Sequence, residues 1–200
     1  MNKRHCFLLG LVSGAVMFAA GCSPSFQPVS YYNLAEPAAV TATVKNSHHR
    51  LALVIGPVSL PDRLKQSRLV FGTGGNFQLS DQHRWADDLD HDIARAIAEQ
   101  LAVRLETEQV SVYPDTLDVP PSHRIAVEVL TLEGLPGQVA RLIVRWSLID
   151  PHTNTTRLIR RSVFTEYPTD RSQAAWVAAQ RHNISRLSKE IAHAIETAGR

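Results

Sequence analysis

"QVARLIVRWSLID", residues 138–150, sets the layer plan of this protein. In an extended chain Ala140, Leu142, Val144, Trp146 and Leu148 point one way, and Arg141, Arg145 and Ser147 the other. A period of two marks a half-buried antiparallel strand, with one face in a core and one in water. A sheet with such a polar face takes helices on its other face only. The expected neighbours are "HRIAVEVLTLEG" (123–134) and "TTRLIRRSVFTE" (155–166), joined through turn-forming residues at 134–137 and 150–154. Arg141, Arg145, Arg157, Arg160 and Arg161 form either an anion-binding face or cross-strand ion pairs with Glu128 and Glu133. The pairs are the simpler account.

Upstream lies "RWADDLDHDIARAIAEQLAVRLE" (84–106). Leu89, Ile93, Ile97, Leu101 and Leu105 recur every four residues, with Ala86, Ala94 and Ala98 beside them, which predicts an amphipathic helix over about 87–106. Asp87, Asp88, Asp90 and Asp92 resemble a cation cluster only superficially. A calcium loop counted from Asp88 needs glycine where Ile93 stands, and the segment is helical. Carboxylates in a first turn are favoured by the helix dipole. His91 has no nucleophile or second histidine at catalytic spacing. Trp85 is read as an anchor at the approach to the helix, or else as a partner contact.

A second helix is expected near the C-terminus, with Asp170 as N-cap and Gln173 three residues on. Trp176, Val177, Ile184, Leu187, Ile191, Ala194 and Ile195 follow helical spacing. Arg181, Arg186, Lys189 and Glu190 lie opposite. That polar face is mixed rather than basic, which suits packing on the sheet better than lying on a membrane. Further strands are expected in "LALVIGPVSLP" (51–61), "RLVFGTGGNFQLS" (68–80) and "VSVYP" (110–114). The glycine cluster at 72–76 reads as a hairpin turn. It lacks the Lys-Ser/Thr of a phosphate loop, and Phe77 stands where a dinucleotide fingerprint needs its third glycine. The fold class is therefore α+β: a mixed, largely antiparallel sheet with two amphipathic helices on one face.

The N-terminus has a different character. Lys3 and Arg4 precede an uncharged run over residues 7–21, about 15 long, where a membrane span needs roughly 20. A basic head, a short apolar stretch and small Ala19, Ala20 and Gly21 read as a secretory signal. Small-small-Gly-Cys resembles the lipobox of bacterial lipoproteins, with Ala19 at the place usually held by leucine. Cys6 would leave with the signal, so Cys22 would remain alone, without an intramolecular disulfide partner. Cys22 is thus expected to carry the lipid, palmitate included, and by resemblance to sorting rules Ser23 points to the outer membrane. Expected boundaries are 1–21 for the signal, 22–50 for the lipidated N-terminus and tether, and 51–200 for one α+β domain. "YYNL" (31–34) is a candidate short strand within the tether, and His48-His49 are solvated loop residues. Of 21 Lys+Arg, Lys3 and Arg4 go with the signal, leaving 19 against 19 Asp+Glu. A neutral mature chain does not suggest nucleic acid as a partner.

In order, a lipobox cysteine, "YYNL", "VIGPVSLPDRLKQSRLVF", "RWADDLDHDIARAIAEQL", "VYP", "VEVLTLEG" and "VRWSLID" resemble the ABC-type transport auxiliary lipoproteins. These are the PqiC-like, or paraquat-inducible, intermembrane-transport family. Arg84-Trp85-Ala86 followed by an acid is the most specific piece. Asp87-Asp88 stands where members often have Glu-Pro. The resemblance implies an outer-membrane lipoprotein facing the periplasm, partnered with an MCE-domain periplasmic protein and its inner-membrane transport partner. Lipid, phospholipid a candidate, would be moved between the two membranes. It implies no enzyme, and neither a cofactor nor a metal site is expected. Two roles follow: a docking component for the MCE protein, or a lipid- or small-molecule-binding lipoprotein feeding an ABC transporter. A closed ring of identical subunits would suit a tube-shaped partner, so a homo-oligomer is expected. Its candidate interface residues are Arg84, Trp85, Arg141 and Arg145.

Overall fold

In the computed structural model, residues 28–35, 51–115 and 119–198 are described. The lipobox, Cys22 and His48-His49 lie outside them. The strand that sets the layer plan, β7 (Val139–Asp150), runs beside β6 (His123–Leu135) and β8 (Thr155–Glu166), antiparallel to both. Ala140, Leu142, Val144, Trp146 and Leu148 are all buried. On the other face Glu133 stands directly opposite Arg141, and Glu128 opposite Arg145. Both are ion pairs, the first at 3.6 Å. The cross-strand account of these two arginines holds.

Strand β6 is the hub. Its second edge is shared by β2 (Leu53–Ser59), which is parallel to it, and further along by β3 (Arg68–Thr73), which is antiparallel. Beyond β3 come β4 (Asn76–Trp85) and then β1 (Ser30–Tyr32), which is parallel to β4. Beyond β2 comes β5 (Val110–Val112), again parallel. Helix α1 (Leu89–Arg104) packs against β2 and β5, and α2 (Gln173–Ala198) against β7, β8 and α1. The result is the mixed, largely antiparallel sheet with two helices that the patterning implies.

Three boundaries differ from the sequence reading. Strand β4 continues to Trp85, because Arg68 pairs with Arg84 on one side and Tyr32 with Trp85 on the other, beyond residue 80. Helix α1 therefore begins at Leu89, after Asp88 with extended backbone. The cap of α2 is Ser172 rather than Asp170: Ser172 Oγ accepts from the Ala175 N–H at 3.0 Å. Asp170 instead accepts from the Ser172 N–H at 2.6 Å, and its hydrogen bonding with Ser172 holds its carboxyl below the usual range.

The sheet–helix layer is mostly apolar, but α2 also carries a buried polar row. Gln180 Nε2 donates to the carbonyls of Glu133 and Arg141 at 3.2 and 3.3 Å. Asn183 Nδ2 donates to the Ala140 carbonyl at 3.1 Å and to Gln180 Oε1 at 3.1 Å. One turn earlier Trp176 meets Phe71 edge-on, with centroids 5.1 Å apart. Its indole lies over Gly134, whose φ is +144°. A Cβ there would come within 1.9 Å of the Val139 carbonyl oxygen and 2.8 Å of Trp176 Nε1. Only glycine fits that bend.

Candidate interaction face

The four interface candidates from the sequence do not cluster. Trp85 is 3% exposed and belongs to the core. Arg84 is half-buried on β4, which β3 and β6 separate from β7. Arg141 and Arg145 share the outer face of β7 and are both exposed.

What surrounds those two arginines is more informative. Strand β8 pairs with β7 alone, so its 12 residues form a free edge of the sheet among the described residues. Ile159 pairs with Ser147, Arg161 with Arg145, and Val163 with Ile143, so these side chains continue the same outer face. Ile159 is 64% exposed and Val163 57%. Between them Arg161 stands directly opposite Arg145. Arg145 is neutralised by Glu128, whereas Arg161 has no hydrogen-bond or ion-pair partner among the described residues. Like charges directly opposite are unfavourable, and an isolated cation between two exposed branched side chains is a ready contact for an acidic, partly apolar surface. Arg157 and Arg160 are committed elsewhere: Arg157 to Asp150, and Arg160 to Glu190 and the Trp146 ring. The sequence reading weighed these arginines by charge alone. The signal it passed over is the "I-x-R-x-V" alternation of 159–163, which places two branched apolar residues on the polar face.

The alternative binding role requires a pocket, and the helix layer contains a groove of about 500 Å³. Ala96 and Val103 of α1 line it, with Ala175, Ala178 and Ala179 of α2 and the 166–169 link. Its polar lining includes Glu99, Arg181 and His182. Burial pushes the Glu99 carboxyl up and nearby Asp92 adds to that, while Arg95 opposes. His182 Nδ1 lies 3.5 Å from Glu166. Arg181 is not free for a ligand, because its Nε and Nη2 both donate to the Asn33 carbonyl, at 2.9 and 2.7 Å.

That last contact belongs to a clamp on the N-terminal segment. Asp92 is fully buried and accepts from the backbone N–H groups of Leu34 at 2.5 Å and Ala35 at 3.2 Å. Tyr32 is fixed by its hydroxyl to His83 Nδ1 at 3.0 Å. Sheet, α1 and α2 thus all hold residues 32–35. In the sequence Asp92 reads, with its acidic neighbours, as a first-turn carboxylate, and it does lie in the first turn of α1. Its place three residues after Leu89, on the apolar stripe, is the signal that distinguishes it. Among the described residues no group of three metal-ligating side chains is placed to hold an ion, and no helix is long and apolar enough to cross a membrane.

None of the curated proteins matches this sequence. Among solved structures, one described only as an uncharacterized protein is 18% identical, covering 84% of this chain and 99% of its own, with a TM-score of 0.68. A Xanthomonas campestris protein is 14% identical, covering 70% of this chain and 81% of its own, with a TM-score of 0.56. At such identities the likeness concerns the fold. The family model for the ABC-type transport auxiliary lipoprotein component matches residues 32–192, from the strand pinned beside His83 through most of α2. With the helix-backed mixed sheet in place over that span, the chain belongs to the ABC-type transport auxiliary lipoprotein component family.

Proposed function

We propose that this protein is a non-enzymatic docking component of an MCE-type intermembrane lipid transport system. Acylated on Cys22, it would stand on the periplasmic face of the outer membrane as a homo-oligomer and fix the periplasmic end of the MCE protein. At about 0.8 kcal/mol per buried methylene, two or three acyl chains hold such a protein on its bilayer. The observation that carries the reading is the edge of β8, free among the described residues, where exposed Ile159 and Val163 flank Arg161, itself without a partner among them. Exposed edges of this length are normally covered or blunted, and a neighbouring subunit or the MCE partner would cover this one. Sedimentation of the mature chain without its lipid tests it. Association that grows with concentration and is lost in an Ile159→Asp/Val163→Asp double variant is the expected result. A monomer at every concentration that also fails to bind the MCE partner removes the support for docking.

The alanine-lined groove favours a second reading, a lipoprotein that binds lipid or a small molecule and feeds an ABC transporter. Solvent extraction of the purified, anchor-free chain separates the two, since a carrier brings lipid with it. The anchor has its own test. Labelled palmitate should enter the wild-type chain and not Cys22→Ser.

A further inference from the structure

Strands β5, β2, β6, β7 and β8 lie side by side in that order, so β5 and β8 are the two ends of one run. Val112, Ile55, Ile125, Leu148 and Leu158 form a row across all five. β5 and β2 run parallel to β6, and two antiparallel steps bring β8 back to that direction. The two edges therefore point the same way and are level at Val112 and Leu158. They close opposite sides of the sheet, so one edge of a molecule can face the other edge of its neighbour.

The chemistry of the two edges is complementary. Past the shared row, β8 presents exposed Ile159, Arg161 and Val163 on the outer face of the sheet. Past the same row on the β5 side come Tyr113, 52% exposed, and Asp115, also exposed. Counted from Val112 and Leu158, Tyr113 and Ile159 are each one residue on, and Asp115 and Arg161 each three. Neither Asp115 nor Glu108, exposed just before β5, has a side-chain partner among the described residues. The β5 edge is thus acidic and partly apolar, the surface that Arg161 and its two branched neighbours fit. Two β8 edges set against each other would bring Arg161 to a second basic strand instead. Both edges are also partly capped against a continued backbone ladder. The Val110 N–H donates to the Glu108 carbonyl at 3.0 Å, and the Asp115 N–H to the Val112 carbonyl at 2.9 Å. On β8, Arg186 donates to the Thr165 carbonyl at 3.1 Å. Side chains must therefore carry a contact here, which makes it selective.

We propose that a second copy of this chain covers the β8 edge with its own β5 edge, Asp115 meeting Arg161 and Tyr113 packing beside Ile159. The contact joins unlike surfaces, so repeating it generates a ring where the rotation closes. This rests on the homo-oligomer reading and adds which two surfaces meet. The test uses sedimentation of the mature chain without its lipid. Arg161→Glu and Asp115→Arg should each weaken association on the order of tenfold, with unchanged thermal melts. Each variant keeps one native edge. An equimolar mixture of the two should therefore recover association, because the altered edges then face one another and the native edges do likewise. Asp115→Arg associating as wild type does, or a mixture no stronger than its components, overturns this pairing and leaves the oligomer standing. A wild-type chain that is monomeric at every concentration removes the oligomer and the pairing with it.

Discussion

Asp92 is a residue whose removal should be felt at a distance in the sequence. It holds two backbone N–H groups from Leu34 and Ala35 and lies 3.6 Å from the Arg95 guanidinium. Asp92→Ala strands two buried donors, each costing about 1–3 kcal/mol. Hydrogen exchange should then accelerate at Leu34 and Ala35 well before it does in β7. Unchanged protection at both amides would show that another contact pins the segment. Trp85 is a simpler case. It is buried at the end of β4, within the core, and Trp85→Ala should lower stability by about 3–5 kcal/mol. Chemical denaturation measures this, and a loss below 1 kcal/mol would contradict the tight packing of that indole.

At the scale of elements, α2 is held to the sheet by shape and by its polar row together. Gln180 satisfies carbonyls of β6 and β7 at once, Glu133 and Arg141. Replacing its amide with an isosteric apolar group, Gln180→Met, leaves those acceptors to weaker partners and should cost about 1–3 kcal/mol. Equal or greater stability of Gln180→Met would show that packing alone seats the helix. Strand β8 poses the opposite problem, being satisfied on one edge only among the described residues. Arg157 and Arg160 are engaged by Asp150 and Glu190, which leaves Arg161 among the described residues as the contact offered to an acidic neighbour. Arg161→Glu should therefore weaken the association read by sedimentation without changing the fold, and unchanged or stronger association would remove Arg161 from the contact.

At the scale of the whole molecule, the β7–β8 turn and the neighbouring start of β6 respond to acid in two steps. Hydrogen bonding to Arg157 pulls the Asp150 carboxyl down to about 2 from its usual 3.8, assisted by the N–H groups of His152 and Thr153. A depressed acid contributes stability above its unfolded pKa and loses it as pH falls, here between 3.8 and about 2. Asp150→Asn should thus be less stable than wild type at pH 7, with the difference shrinking below pH 3.8 and vanishing only as pH falls through about 2. Burial lowers the His123 imidazole below its usual 6.5, with Arg157 adding to the effect and Asp150 opposing. The unfolded chain then takes up the proton more readily than the folded one, so stability falls as pH drops below 6.5. His123→Gln should flatten that part of the pH profile in thermal melts, and an unchanged slope would remove His123 as its cause.

The sequence by itself determined the layer plan, because its signal is local. Alternation in 138–150 and four-residue recurrence in 89–105 each state which side of one element faces a core, whatever the rest of the chain does. It also carried the Glu133–Arg141 and Glu128–Arg145 pairs, which are fixed once a hairpin register is fixed. Three things depended on chain segments meeting from far apart, and only the tertiary structure decided them. Trp85 ends a strand because residues 30–32 arrive beside it, 53 positions earlier in the chain. Asp92 is buried because the same segment brings two N–H groups to it, which makes a carboxylate in the apolar stripe tolerable. Among the described residues Arg161 is alone because β8 is the last strand on its side, and an edge exists only in the assembled sheet. Local periodicity records which face is buried, whereas strand order and the partner of each buried polar atom arise from long-range closure.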